Sequence, residues 1–229
     1  MTKKKVKVRV KKRKLKIGRV LLCLFILGLF YLGFYLIRKL PITNIYVTGN
    51  SLVPEEEILE LSNIKDYPSF IDTSSNKIIN KIKSNKYIKE VKVDKKFWGK
   101  VYISIKEKKV LCMYDNKLLL EDNTLVDNTY NEYSYPILIS QIDDILSKFT
   151  SKFSYVNKEV LQKISEIEYT PNDVDDERFK LMMNDGNIVY ITLTKVKKIN
   201  KYNSIYSSMN GKKGIIYLDS GDYIEIKEN

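Results

Sequence analysis

The chain contains no histidine and only two cysteines among its 229 residues. Without histidine, a Ser-His-Asp triad or a Cys-His pair cannot form, and most zinc-enzyme ligand sets are excluded as well. Cys23 lies within a long apolar run and Cys112 lies far beyond it, so we expect no disulfide between them. A folded unit without disulfides must be stabilised by its hydrophobic core alone.

Carboxylates are the remaining candidates for catalysis. They cluster only as neighbours along the chain, at residues 55–57, 143–144 and 175–177. Adjacent acids are typical of solvated helix starts and loops, and the sequence has neither a glycine-rich phosphate loop nor metal-ligand spacing. We therefore predict no catalytic residue, no cofactor site and no metal site.

The longest apolar run indicates a membrane span. Residues 20–37 carry no charge, and a helix of about 20 such residues crosses a hydrocarbon core of roughly 30 Å. A cleaved signal peptide is the alternative, but its apolar region would have about 7–15 residues, followed by small residues at a cleavage site. Residues 38–42 offer no such site, so we predict an uncleaved transmembrane helix at residues 20–40.

The charge pattern predicts the orientation of this span. Residues 1–19 contain eleven basic residues and no acid. Short basic flanks remain in the cytoplasm, so the N-terminal tail should be cytoplasmic and the remainder extracellular, a single-pass type II topology in the cell membrane.

The net charge of +12 belongs mainly to this tail. Of the 40 basic residues, 11 lie in the tail and two are Arg38 and Lys39, which leaves 27 basic against 28 acidic residues beyond residue 40. A nucleic-acid-binding protein would carry its excess charge on the folded part. We therefore expect no nucleic-acid partner.

Residues 41–109 have the pattern of a small β-α-α-β-β unit. Gly49 and Asn50 close a first short strand, and Pro54 with three following glutamates is typical of a helix start. Alternation of apolar and polar residues predicts strands near residues 87–93 and 101–106. In residues 110–229, short strands alternate with helical segments, and Asp185-Gly186 between apolar runs predicts a type I′ hairpin.

Three motifs follow the span in a characteristic order. They are I-x-x-I-x-V-x-G-N at residues 42–50, Y-I-K-E-V-K-V at residues 87–93 and V-Y-I-S-I-K-E-K at residues 101–108. This arrangement resembles a POTRA domain behind a membrane anchor, as in the FtsQ/DivIB family of bacterial cell-division proteins. The chain departs from the family pattern after Glu107, where Lys108, Lys109 and Val110 replace the frequent Arg-x-Pro.

The resemblance implies an α+β fold with four parts. These are a basic cytoplasmic tail at residues 1–19, a transmembrane helix at 20–40, a POTRA domain at 41–109 and a C-terminal β domain at 110–229. The β domain is expected to contain a mixed β-sheet with helices.

The resemblance also implies a function. It predicts a non-enzymatic scaffold of the divisome at the division septum, which binds FtsL and DivIC (the FtsB counterpart) outside the membrane. The scaffold would thereby help to recruit or regulate the septal peptidoglycan synthase. An alternative is another membrane-anchored POTRA protein acting in protein secretion or transport, and an anchored cell-wall enzyme is a third class without candidate chemistry.

The family implicates the C-terminal part of the second sheet in partner binding by strand addition. Here that region corresponds to residues 214–218 and 223–226, and the candidate partner-binding residues are Tyr217, Tyr223, Ile224 and Ile226. The competing interpretation is that these are core residues of the last hairpin. A second candidate surface lies on the POTRA unit, where we expect Tyr46, Tyr87 and Tyr102 to be exposed.

Overall fold

The structure, a computed structural model, describes residues 16–130 and 134–226. Its first element is helix α1 (Ile17–Arg38), whose 22 residues extend for about 33 Å, enough to cross a hydrocarbon core. Its apolar window has a mean hydropathy of 2.6, and none of that window is buried. The helix begins and ends two to three residues earlier than the predicted span. The basic residues that precede Lys16 lie outside the described residues.

The segment after α1 forms the predicted β-α-α-β-β unit, hereafter the POTRA unit. Its elements are β1 (Asn44–Thr48), α2 (Glu55–Ser62), α3 (Ser75–Ile82), β2 (Ile88–Lys96) and β3 (Lys100–Glu107). The sheet order is β1-β3-β2, with β1 parallel and β2 antiparallel to the central β3. Because a strand presents alternate residues to opposite faces, Val101, Ile103 and Ile105 are buried while Tyr102 and Ser104 are exposed.

The rest of the described chain forms a nine-stranded mixed sheet with helices, which confirms the predicted α+β fold. Its strands are β4 (Val110–Tyr114), β5 (Lys117–Leu120), β6 (Leu125–Val126), β7 (Ile137–Leu138), β8 (Ile164–Tyr169), β9 (Arg178–Met183), β10 (Ile188–Thr192), β11 (Gly214–Tyr217) and β12 (Tyr223–Ile226). The helices are α4 (Leu146–Phe153), α5 (Lys158–Leu161) and α6 (Tyr202–Ser208), with 3-10 segments at Asp143–Ile145 and Leu193–Lys201. The sheet order is β12-β11-β10-β9-β8-β7-β4-β5-β6.

The β9–β10 hairpin lies where it was predicted, but the prediction of a type I′ turn is wrong. A type I′ turn needs positive φ at both central residues, whereas here Gly186 has φ 87° and Asp185 is not in that region. The N–H of Gly186 donates to the Met183 carbonyl, so a turn followed by a glycine bulge closes the hairpin. The Asp185 carboxylate is held by the Tyr202 hydroxyl, which donates at 2.7 Å.

The β4–β5 hairpin joins the two hydrophobic cores. Val110, Leu118 and Leu120 pack with the core of the POTRA unit, whereas Leu111 and Leu119 pack with the core of the larger sheet. One hairpin therefore supplies buried side chains to both cores. The predicted domain boundary between residues 109 and 110 stays a prediction. The first two strands after it, β4 and β5, pack against the core of the POTRA unit as well as against the core of the larger sheet.

Polar contacts also connect the two units. The Tyr130 hydroxyl donates to the Glu57 carboxylate at 2.8 Å, and Lys109 Nζ donates to the Ser154 carbonyl at 2.6 Å. Burial, together with the Glu57 carboxylate, raises the pKa of Tyr130 to about 12. The first contact joins α2 to the segment after β6, and the second joins the connection between β3 and β4 to the segment after α4, so the POTRA unit and the larger sheet are held in a defined relationship.

Glu107, the last residue of β3, stabilises the loop before α2. Its carboxylate accepts hydrogen bonds from the backbone N–H groups of Leu52 and Val53, the latter at 2.8 Å, and from the hydroxyl of Ser51. A carboxylate that accepts several backbone N–H groups makes strong, charge-assisted hydrogen bonds. The glutamate of the family pattern thus has a structural role here, in spite of the changed residues that follow it.

Candidate functional site: the outer edge of the C-terminal sheet

The candidate residues lie at one end of the nine-stranded sheet. Strand β12 pairs antiparallel with β11, which pairs in parallel with β10. Within residues 16–130 and 134–226, no strand pairs with the outer side of β12. An edge of this kind presents unpaired N–H and C=O groups, to which an extended segment of another chain can add.

The direction of the backbone groups on β12 follows from its neighbours. The Leu218 N–H donates to the Tyr190 carbonyl at 2.8 Å, so the backbone groups of Leu218 and of Ile216 point toward β10. Because these groups alternate in direction along a strand, those of Ile215 and Tyr217 point toward β12. Their register partners on β12 are Glu225 and Tyr223.

It follows that Tyr223 and Glu225 use their backbone groups to pair with β11. The backbone groups of Ile224 and Ile226 then point away from the sheet, at its free edge. These two residues therefore carry the donors and acceptors that an added strand would meet.

A ladder of aromatic side chains covers one face of this edge. Tyr190, Tyr217 and Tyr223 occupy successive strands, with ring centroids 5.4 Å and 4.5 Å apart and nearly parallel planes. The guanidinium of Arg178 lies 3.9 Å from the Tyr190 ring centroid and completes the ladder at its inner end. Tyr223, its outermost member, is 51% exposed. A flat aromatic surface therefore extends to the free edge of the sheet.

Charged groups hold this ladder in place. Arg178 Nε lies 2.7 Å from Asp219 Oδ2, and both side chains are largely buried. Burial alone would raise the pKa of Asp219, but the contacts with Arg178 and Ser220 outweigh it and lower the pKa below its usual value. The Tyr217 hydroxyl lies 3.3 Å from the Glu225 carboxylate, and burial together with that carboxylate raises the pKa of Tyr217.

The opposite face of the edge is apolar. Ile224 and Ile226 are 37% and 38% exposed, and Ile224 borders a cleft of about 250 Å³. The cleft is also lined by Ile205 of α6 and by Leu218, which follows β11, and the ion pair of Lys198 with Asp222 at 2.6 Å lies at its rim. An added strand would thus find aromatic side chains on one face and aliphatic side chains on the other.

The local sequence explains why β12 lies close to β11. A Cβ at Gly214 would lie 2.4 Å from the Glu225 carbonyl oxygen, so only glycine permits this approach. The turn between the two strands places Gly221 and Asp222 at positive φ, 86° and 53°. Both residue types tolerate that region better than most others do.

Beyond α1, the described residues provide neither a metal-ligand cluster nor a reactive thiol. Among the residues that the structure describes, no three His, Cys, Asp or Glu side chains cluster in a way that could hold a metal ion. Cys112 is buried, and burial raises the pKa of its thiol well above the usual value, which disfavours the reactive thiolate. What the edge supplies is backbone pairing and apolar surface, which are features of a protein-binding site.

Comparison with known proteins identifies the family. The model of the POTRA domain, FtsQ-type, matches residues 40–108. The cell division protein DivIB of Bacillus subtilis (strain 168) is 32% identical over 193 residues, which cover 80% of this chain and 73% of that protein. The chain belongs to the DivIB family. DivIB of Bacillus anthracis is 28% identical over 232 residues, which cover 96% of this chain and 87% of that protein.

Among solved structures, the major extracytoplasmic domain of the cell division protein DivIB from Geobacillus stearothermophilus is similar. It is 23% identical, with a TM-score of 0.37, and the match covers 46% of this chain and 96% of that one. Membership of the DivIB family makes this chain a cell-division protein with a POTRA domain, and among the described residues one helix, α1, is long and apolar enough to anchor it in a membrane. The family favours cell division over the secretion or transport alternative.

The structure distinguishes among the residues predicted for partner binding. It brings Tyr217, Tyr223, Ile224 and Ile226 together at one edge, where Tyr223, Ile224 and Ile226 are exposed and Tyr217 is half-buried. The competing interpretation, that all four are core residues, does not fit this exposure. Their role in binding stays a prediction.

On the second candidate surface, that of the POTRA unit, the predicted exposure of Tyr87 is wrong. Tyr46 and Tyr102 are exposed and stack with ring centroids 4.8 Å apart, but Tyr87 is only 5% exposed. Its hydroxyl donates to the Asp127 carbonyl at 2.5 Å, and its ring packs edge-on against Tyr130. Tyr87 therefore belongs to the contact between the two units and is not available to a partner.

Sequence reasoning missed two members of the edge, Tyr190 and Arg178. Tyr190 joins the ladder only because β10 and β11 are parallel neighbours, with a 3-10 segment and α6 between them in sequence. Arg178 joins because β9 pairs with β10. The only signal in the sequence was the position of Tyr190 in the alternating pattern of β10. That pattern does not show that β11 is the neighbouring strand.

Proposed function

We propose that this DivIB-family chain is a non-enzymatic scaffold of the divisome and that β12 binds FtsL- and DivIC-type (FtsB-type) partners by strand addition. The observation that carries the proposal is the free edge of β12, where the backbone groups of Ile224 and Ile226 point away from the sheet. A partner segment in extended conformation would complete the ladder there.

The two faces of the edge would provide specificity. A strand that adds to β12 places its side chains alternately beside the tyrosine ladder and beside the isoleucine face. The ladder favours an aromatic or β-branched partner side chain next to Tyr223, and the cleft next to Ile224 favours an aliphatic one. Backbone hydrogen bonds would supply affinity, and these two surfaces would select the partner segment.

The proposed topology places this edge outside the membrane. The eleven basic residues before Val20 favour a cytoplasmic N-terminus, so the POTRA unit and the larger sheet would face the cell exterior. A scaffold in this position at the division septum would contact the extracellular parts of small bitopic partners. Through them it would help to recruit or regulate the septal peptidoglycan synthase.

The absence of enzymatic activity is the second part of the proposal. Its support is the lack of histidine in the whole sequence and the burial of Cys112. The acidic clusters lie at a helix start and in loops: residues 55–57 begin α2, residues 143–144 begin a 3-10 segment, and residues 175–177 precede β9. Carboxylates in such places typically cap helices or remain solvated.

Site-specific photo-crosslinking in living cells tests the proposal. A photoreactive phenylalanine analogue would replace Tyr223, and in a matched control it would replace Tyr155, which is 54% exposed in the loop after α4. We expect crosslinks from position 223 to FtsL- or DivIC-type proteins and none from position 155. Equal crosslinking from both positions, or none from position 223 while the partners still co-purify with the full chain, would contradict the proposed edge.

A further inference from the structure

The most exposed aromatic side chains of the POTRA unit lie at the tip of the β2–β3 hairpin. Phe97 is 91% exposed and Trp98 is 89% exposed. Two adjacent large apolar side chains in contact with water are costly, because removing apolar surface from water is favourable, and exposed apolar patches often mark a site of interaction. The proposed binding edge at β12 does not involve this hairpin.

The backbone of the tip is held in a sparsely populated conformation. Trp98 has φ 68°, in the left-handed region that a bulky residue rarely adopts, and Gly99 has φ 73°. The Thr43 hydroxyl donates to the Trp98 carbonyl at 2.7 Å, and the Thr43 N–H donates to the Gly99 carbonyl at 2.8 Å. A Cβ at Gly99 would lie 2.8 Å from the Pro41 carbonyl oxygen. The tip is thus fixed against the first residues after α1.

The same region is tied to the end of the transmembrane helix. Arg38 Nη2 lies 2.7 Å from Asp72 Oδ1, and the Ser69 hydroxyl donates to the Arg38 carbonyl at 2.5 Å. The Phe70 N–H donates to the Leu40 carbonyl at 2.9 Å. These contacts hold the POTRA unit against the C-terminal end of α1.

The hairpin tip and the helix end form one apolar surface. Ile37, Leu40, Ile71, Phe97 and Trp98 line a groove of about 480 Å³. Ile37 lies in the last turn of α1, so the surface is continuous with the exposed apolar surface of that helix. Lys96 and Lys100 flank the tip and are exposed, and Lys39 follows the helix.

We propose that Phe97 and Trp98 insert into the interfacial region of the same bilayer that α1 crosses. Tryptophan prefers the level of the lipid headgroups, where its ring contacts apolar chains and its N–H remains hydrated. The flanking lysines would lie at the depth of the lipid phosphates. The POTRA unit then has two attachments to the membrane, α1 and the hairpin tip, and its orientation to the surface is fixed. This inference depends on the membrane span and not on the β12 edge. The insertion of the hairpin tip and the binding of partners at β12 can therefore fail independently of each other.

The chain provides its own probe, because Trp98 is the only tryptophan in the sequence. The full chain would be reconstituted in phosphatidylcholine–phosphatidylglycerol vesicles, and its fluorescence would be measured with lipids brominated at defined acyl positions and with acrylamide in the water. A matched reference is the double variant Trp98→Phe, Tyr155→Trp. Tyr155 lies far from the hairpin tip. Strand β3 begins at the tip and is about 23 Å long, and Lys109, just beyond its other end, donates to the carbonyl of Ser154, the neighbour of Tyr155.

We expect lipids brominated near the headgroup to reduce Trp98 emission by at least about twofold and acrylamide to quench it weakly, as for an interfacial tryptophan. The reference tryptophan should show the reverse behaviour. Equal quenching of the two tryptophans by lipid would overturn the inference. Protection of Trp98 that develops only when FtsL- and DivIC-type proteins are added would also overturn it, because the tip would then be a protein contact.

Discussion

Tyr217 and Tyr223 stack with ring centroids 4.5 Å apart on β11 and β12, the last two strands at one end of the nine-stranded sheet. Tyr217 in turn stacks on Tyr190, and Arg178 covers the inner end of the row. A ring supported in this way has few conformations to lose when a partner covers it. The row therefore places a preorganised aromatic surface beside the outer backbone groups of β12, which pair with no strand among the described residues.

Truncation of the ladder should weaken partner capture. Removal of a buried aromatic anchor typically costs on the order of 2 kcal/mol, so Tyr223→Ala or Tyr217→Ala should reduce affinity for FtsL- and DivIC-type partners by about thirtyfold. Affinity would be measured with the full chain in nanodiscs, and the unfolding midpoint of each variant would be measured alongside. Normal affinity in both folded variants would place the interface elsewhere, with the exposed Tyr46–Tyr102 pair as the next candidate.

The two faces of β3 should respond very differently to charge. Ile103 is fully buried, so Ile103→Asp places an unpaired carboxylate in the core and should cost at least about 4 kcal/mol, enough to unfold the POTRA unit. Tyr102 is exposed on the opposite face, and Tyr102→Asp loses mainly its stacking on Tyr46, about 1 kcal/mol. Chemical unfolding of the two variants distinguishes these outcomes. Similar losses in both would mean that the assigned faces of β3 are wrong.

The burial of Tyr130 and its contact with Glu57 predict an alkaline loss of stability. The pKa of Tyr130 is raised from 10.0 to about 12, so the folded chain keeps a proton that the unfolded chain releases in this range. Its stabilising contribution is complete below pH 10 and is lost as the pH rises from about 10 to about 12.

Tyr130→Phe should therefore flatten the fall of the urea midpoint across this pH range. In a Glu57→Gln background, which removes the acceptor carboxylate, the effect of Tyr130→Phe should be smaller. If the slope is the same with tyrosine or phenylalanine at position 130, the two units are not joined by this hydrogen bond.

The topology can be tested by labelling of engineered cysteines. A membrane-impermeant thiol reagent should reach a cysteine at position 229 in cells with a permeabilised wall and should not reach one at position 2. Cys23 lies in the span and Cys112 is buried, so the unmodified chain serves as the background control. Neutral residues in place of the basic ones before Lys16 should scramble the orientation. Labelling at position 2 but not at position 229 would reverse the proposed topology.

The POTRA unit was predictable because its signals are local. Val101, Ile103 and Ile105 alternate with polar residues, and a period of two specifies both the strand and its buried face. The same reasoning failed for Tyr87. Its ring is buried by Tyr130, which is distant in sequence, and no local periodicity describes such a contact.

The binding edge was predictable only in part. The resemblance to the family placed Tyr217 and Tyr223 near the C-terminal strands, but the open side of the sheet depends on strand order, which is a property of the whole fold. The parallel pairing of β10 with β11 makes β12 outermost and decides which of its backbone groups are free. For this reason the sequence does not distinguish Ile224 from Tyr223 as a target for proline substitution, whereas the structure does.

The strand-addition account can be tested most directly with these two proline substitutions, in the full chain in nanodiscs. Proline removes a backbone N–H, and an edge strand tolerates it where that N–H faces solvent. Ile224→Pro should therefore remain folded, with an unfolding midpoint close to that of the matched variant Ile224→Ala. Tyr223→Pro loses a hydrogen bond to β11 and should disrupt the last hairpin.

The decisive quantity is the affinity of Ile224→Pro for FtsL- and DivIC-type partners relative to that of Ile224→Ala. Both variants lose the isoleucine side chain. The difference between their affinities therefore reports on the loss of the outward backbone N–H and on the proline ring, which occupies space that an added strand needs. We predict that Ile224→Ala still captures the partners and that folded Ile224→Pro does not. Equal capture by the two folded variants would contradict strand addition at β12.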